Sequence, residues 1–117
     1  MESFLLLDSK DKDEIINYIP NENKLKSMAL FFQNFSDVTR LKVISALSIN
    51  DLCVNDLSKI LGINQTTISH QLRYLKNQFI VESSRDGKIV RYSLKNKFIN
   101  ELMNYAIDSI NQIHFSI

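Results

Sequence analysis

Between Ile63 and Leu94 the chain changes period, and that change limits what it can fold into more than any other feature. Up to Asn77 the apolar residues Ile68, Leu72 and Leu75 fall at i, i+4 and i+7, the spacing of one helical face. From Ile80 the runs IVESSR and KIVRYSL read as strands, with Val90, Tyr92 and Leu94 alternating with Ile89, Arg91 and Ser93. Asp86-Gly87 lies between the two runs, the dipeptide of a hairpin turn whose two central residues both take positive φ. The stretch therefore predicts a helix followed directly by a two-stranded hairpin.

The residues before it supply more helices. Ser36 and Asp37 are good caps for a helix over Val38 to Leu47, in which Val38, Leu41, Ile44 and Leu47 step by three as the predicted apolar stripe. The segment SINDL breaks that pattern. Asn55 is the predicted cap of a short helix holding Leu57, Ile60 and Leu61, which Gly62 stops as a C′ glycine. Asn64 then caps the helix that runs to about Asn77. A short helix, a tight glycine turn and a helix with a polar leading end make a helix-turn-helix, and the following hairpin makes it winged.

Two flanking helices are more apolar than a lone protein tolerates. Asn21 or Asn23 can cap one in which Leu25, Met28, Leu30, Phe31, Phe32 and Phe35 leave almost no polar face over its second half. Another, from Lys97 to about His114, carries a broad face of Phe98, Ile99, Leu102, Met103, Ala106, Ile107, Ile110 and Ile113. A further short helix over Asp11 to Ile19 ends at Pro20. The predicted fold class is mainly α: a winged helix-turn-helix of five to six helices plus a two-stranded wing. At 117 residues and 44% apolar, one compact domain suffices. Residues 1–20 are read as an acidic N-terminal arm and 21–117 as the winged-helix domain with its terminal helices.

The net charge of +1 hides an uneven distribution. Residues 1–24 hold six carboxylates against three lysines, and residues 62–92 hold five basic side chains against two acids. A basic half beside an acidic one points to a polyanion on one side only. With Ile68, Leu72 and Leu75 turned inward, the exposed side of the helix carries Gln65, Thr66, Ser69, His70 and Arg73. With neighbouring Thr67, these are the candidate DNA contacts of a recognition helix. Gln can pair with adenine, Arg prefers guanine, and a Thr methyl meets that of thymine. No acid lies between Asn64 and Ile80, and Arg73 and Lys76 near the helix end can reach the backbone. Arg85, Lys88 and Arg91 suit the wing to phosphate or minor-groove contact. Ser, Thr and Asn are poor helix-interior residues, so several in one turn suggest a use beyond folding.

With these elements in order, FFQNFSDVTRLKVISAL, DLCVNDLSKILGINQTTISHQLRYLKNQFIV and RDGKIVRYSL resemble the ArsR/SmtB family of bacterial winged-helix repressors. The likeness runs from about Leu25 to the C-terminus. It implies a homodimer held by the first long helix and the last, here through Leu25, Met28, Phe31 and Phe32 with Leu102, Met103, Ile107 and Ile110. It also implies binding to an inverted-repeat operator and release by an inducer, which in many members is a metal or metalloid ion.

The metal sites are where the chain departs. The family's paired cysteines read here Cys53-Val54-Asn55, and Cys53 is the sole cysteine, whereas soft ions want two or more thiolates. The ligand positions of the second family site fall on Asn96, Phe98, Ser109 and Gln112, a set unable to hold zinc. His114 lies off that pattern and is read as a solvated histidine. The family's second His after SH is Gln71, which can still bond a base or phosphate. No metal site and no cofactor are predicted, and the inducer is left open: an organic ligand, an oxidant at Cys53, a metal at an atypical site, or none.

A single cysteine fits a cytoplasmic protein, and neither a signal peptide nor a membrane span is expected. No nucleophile–base pair, phosphate loop or carboxylate pair suggests an enzyme. The competing reading is a winged-helix module that binds protein rather than DNA; Arg73, Arg85, Lys88 and Arg91 have little purpose in it.

Overall fold

The computed structural model describes residues 6–113; Glu2 and His114, among others, lie outside the described residues. The elements run α1 (Ser9–Tyr18), α2 (Glu22–Gln33), α3 (Val38–Ile49), α4 (Val54–Leu61), α5 (Gln65–Asn77), β1 (Val81–Asp86), β2 (Ile89–Leu94) and α6 (Lys97–Ile113). The order agrees with the winged helix-turn-helix expected from the sequence. The chain divides between Phe32 and Gln33 into two compact units.

In the first unit, Asp8 caps α1 by accepting from the Asp11 N–H, and Asn21 caps α2 by accepting from the Lys24 N–H. Neither helix buries a residue. Leu25, Met28, Leu30, Phe31 and Phe32 all remain exposed. The rings of Phe31 and Phe32 meet edge to face with centroids 5.4 Å apart.

The second unit holds the core. Val43, Ile44 and Leu47 of α3 pack with Leu57 of α4, Ile68, Leu72 and Leu75 of α5, Ile80, Val81, and Ile99 and Met103 of α6. Each such side chain contributes roughly 1.5–3 kcal/mol by leaving water. The α5 stripe is buried as its spacing predicts. The α3 stripe is not the predicted one: Val38 is 69% exposed, and Val43 takes a core place. Steps of three lag behind the 3.6-residue turn, so nine residues rotate Val38 about half a turn away from Leu47.

Gly62 ends α4 at φ +66°, and the Ile63 N–H reaches the Ser58 carbonyl at 3.2 Å. The predicted cap Asn55 lies inside α4 instead; the N-cap is Cys53, which makes no side-chain capping bond. Asn64 does cap α5, accepting from the Thr67 N–H at 2.8 Å.

The wing pairs β1 and β2 antiparallel, from Val81 opposite Leu94 to Asp86 opposite Ile89. The turn is therefore Gly87-Lys88, one residue later than predicted. Only Gly87 has positive φ, +63°, as in turns that need glycine at the first central position alone. Asp86 closes the ladder and never needs the strained conformation. The SINDL segment is more than a break, because Leu52 and Tyr92 exchange backbone bonds of 3.1 and 2.8 Å and tie the wing to the α3–α4 connection.

Candidate nucleic-acid interface

The outward side of α5 follows from its inward one. With Ile68, Leu72 and Leu75 fully buried, Gln65, Thr66, Ser69, His70 and Arg73 surround one shallow depression of about 320 Å³. Five of the six residues singled out on this helix thus meet in one place. Thr67 does not: it is half-buried, outside that depression, and its backbone N–H is held by the Asn64 cap. Gln71 also lies outside that depression. Its Oε1 is buried and has no hydrogen-bond partner, because its place on the helix turns it away from Arg73 and toward the body.

One amide, two hydroxyls, one imidazole and one guanidinium on a helix with no carboxylate between Asn64 and Ile80 can donate to and accept from base edges without repelling phosphate. Asn64 caps the helix start independently of every outward side chain.

The wing's cations are exposed but do not share a face. Arg85 pairs with Val90 and lies on the side of the ladder that continues into Tyr92 and Leu94. Arg91 pairs with Ser84 and lies on the opposite side. Lys88 occupies the turn and lines a cleft of about 290 Å³ with Gln65, Asn55 and Cys53. The structure thus joins Lys88 to the leading end of α5 and sets the two arginines on either side of the hairpin.

Three contacts between elements carry no signal in the local sequence. Lys76 donates to the Ser83 hydroxyl at 2.7 Å, so it braces β1 against α5. Arg40 of α3 lies over the Tyr74 ring of α5. Gln65 Nε2 donates to Asn55 Oδ1 at 3.0 Å. Charge and cap preferences could suggest each partner, but only the way the elements pack could pair them.

On α6, Met103 is buried in this chain's own core, so of the four residues expected at an interface it is the one already covered. Leu102 is half-buried, while Ile107 and Ile110 are exposed. Among the described residues no group of three or more His, Cys, Asp or Glu could hold a metal ion. Also among them, no helix is long and apolar enough to cross a membrane.

Comparison with known proteins places these features. The family model for bacterial regulatory proteins of the arsR family matches residues 37–83. The chain is 34% identical over 90 residues to the transcriptional repressor SmtB homolog of Synechocystis sp., covering 77% of this chain and 68% of that one. It is 41% identical over 83 residues to the cadmium resistance transcriptional regulatory protein CadC of Listeria innocua, covering 70% of each. The fold matches the solution structure of a homodimeric winged helix-turn-helix DNA-binding domain from Mycobacterium bovis, with a TM-score of 0.70 and 21% identity over 86% of this chain and 97% of that one.

Proposed function

Since the chain belongs to the ArsR family of DNA-binding bacterial repressors, we propose that it binds an inverted-repeat operator as a homodimer, with α5 in the major groove and the wing against the flanking backbone. It is a transcriptional regulator, not an enzyme. The observation that carries the binding mode is the depression formed by Gln65, Thr66, Ser69, His70 and Arg73 on a helix free of acids. Gln65, Thr66, Ser69, His70 and Arg73 meet base edges, and Arg85, Lys88 and Arg91 neutralise phosphates. The placement of Arg85 and Arg91 on opposite sides of the wing suits a hairpin entering a groove, with a backbone strand on each side.

Dimerisation is supported by exposed apolar surface. Beyond Met103, α6 carries Ala106, Ile107, Ile110 and Ile113 on one side, all exposed. Leu25, Met28, Phe31 and Phe32 of α2 are exposed as well. A second copy of the chain covers them; the domain of like fold from Mycobacterium bovis is itself homodimeric.

One chain does not offer a soft ion the two or more thiolates it wants, and the inducer is left open. Cys53 is the only thiol in the chain, and Asn55 is occupied in bonding Gln65. The cadmium resistance in the relative's name is therefore not extended to this chain. The protein acts in the cytoplasm, where operator DNA lies.

Selection from a random duplex library with the purified protein tests the mode of binding. Two symmetric half-sites, centred about one helical turn or a whole multiple of it apart, are expected. Enrichment of asymmetric sites, or none, would overturn it.

A further inference from the structure

We infer that Asn55 is a positioning residue for base recognition: it holds the carboxamide of Gln65 in the orientation that meets an adenine edge. This rests on the reading that Gln65 contacts a base. Asn55 stands on the first turn of α4, and across the Gly62 turn its Oδ1 accepts from Gln65 Nε2 at 3.0 Å. The Gln65 side chain neither caps α5, which Asn64 does, nor belongs to the buried stripe, which lies on the other side of the helix. What the bond does is fix the amide plane. With the N–H trans to Oε1 given to Asn55, the cis N–H and Oε1 stand side by side and free for a base. The major-groove edge of adenine presents one acceptor, N7, and one donor, the N6 amino group, and these are the complement of that pair.

The surroundings say which way the fixed amide is used. Gln65 and Asn55 line the cleft that also holds Lys88, Ile89 and Val90 of the wing, so the oriented group stands beside the cation of the wing turn. A glutamine held beforehand loses less side-chain freedom when DNA arrives. The gain falls on sequence discrimination, since phosphate contacts act on every sequence alike.

The test uses the full chain, the operator selected by the wild type, and duplexes in which each base pair is changed in turn. Asn55→Ala, Asn55→Asp, Gln65→Ala and the Asn55→Ala/Gln65→Ala pair are titrated, and the matched-to-mismatched affinity ratio is read at every position. Asn55→Ala is expected to lower that ratio about fivefold at one adenine in each half-site and nowhere else. Gln65→Ala should flatten the same position, and the double variant should go no further. Asn55→Asp keeps the acceptor, so it should retain the ratio even where its charge weakens all duplexes together. If Gln65→Ala flattens a position and Asn55→Ala leaves it intact, the positioning role is overturned while the base contact stands. If Gln65→Ala changes no position, the base contact itself is wrong. If Asn55→Asp loses the ratio as Asn55→Ala does, Asn55 does not act as acceptor. Urea unfolding midpoints check that each variant is folded.

Discussion

The guanidinium of Arg40 lies 4.5 Å from the centre of the Tyr74 ring, and this contact fastens α3 to the recognition helix α5. The same side chain donates through Nε to the Asn34 carbonyl at 3.4 Å and through an Nη to the Gln33 carbonyl at 3.3 Å, closing the end of α2. A cation in the first turn of α3 opposes that helix's dipole, so Arg40 stands there for its cross-element contacts and not for α3 alone. Arg40→Ala is expected to cost on the order of 2 kcal/mol, read as a lower urea midpoint. Arg40→Lys keeps the charge but not the planar fork, and should fall between the two. An unchanged midpoint in Arg40→Ala would remove the contact from the account.

Phe79 follows α5 at φ +62°, a conformation that L side chains avoid and glycine adopts freely. The Phe79 and Ile80 N–H groups bond the Lys76 and Leu75 carbonyls, the pattern in which glycine usually stands. The ring is 71% exposed, with Lys95 Nζ 4.9 Å from its centroid. Little burial is lost on its removal, so Phe79→Gly should stabilise the protein by about 1 kcal/mol in equilibrium unfolding. Phe79→Ala keeps the strain and loses the ring, and should not stabilise.

The three wing cations are expected to act separately. Each of Arg85→Ala, Lys88→Ala and Arg91→Ala should reduce the slope of log affinity against log salt by about one, with little change in base preference. A variant with an unchanged slope identifies a side chain that touches no phosphate.

The exposed isoleucines of α6 make oligomeric state testable. Ile110 is 49% exposed in the single chain. Ile110→Glu places a charge where a second copy would pack, and light scattering should show the mass halve at concentrations where the wild type is a dimer. A variant that stays dimeric would take α6 out of the interface.

Legibility in the sequence varied with how local the determinant is. The α5 stripe, its Asn64 cap and the Gly62 stop are set by residues within one or two turns, and the structure has them where the spacing puts them. The α3 stripe is not legible from its spacing alone, because a step of three drifts around a helix and Val38 ends up in water. The hairpin is legible in the sequence but its turn falls one residue later than Asp86-Gly87 suggests; the ladder extends through Asp86, and one positive φ at Gly87 suffices. The depression on α5 could be read from the residues opposite the core. The bonds of Arg40 to Tyr74, Lys76 to Ser83 and Asn55 to Gln65 could not, since each depends on how two elements cross.

The central claim is that the outward side of α5 and the wing form one DNA-binding surface. Titration of the selected operator with wild type and with Arg73→Ala/Lys88→Ala, at low ionic strength and equal protein fold and mass, tests it most directly. The account predicts salt-sensitive binding by the wild type and a loss of at least about tenfold in the variant. Equal affinity of the two proteins for the same duplex would contradict it.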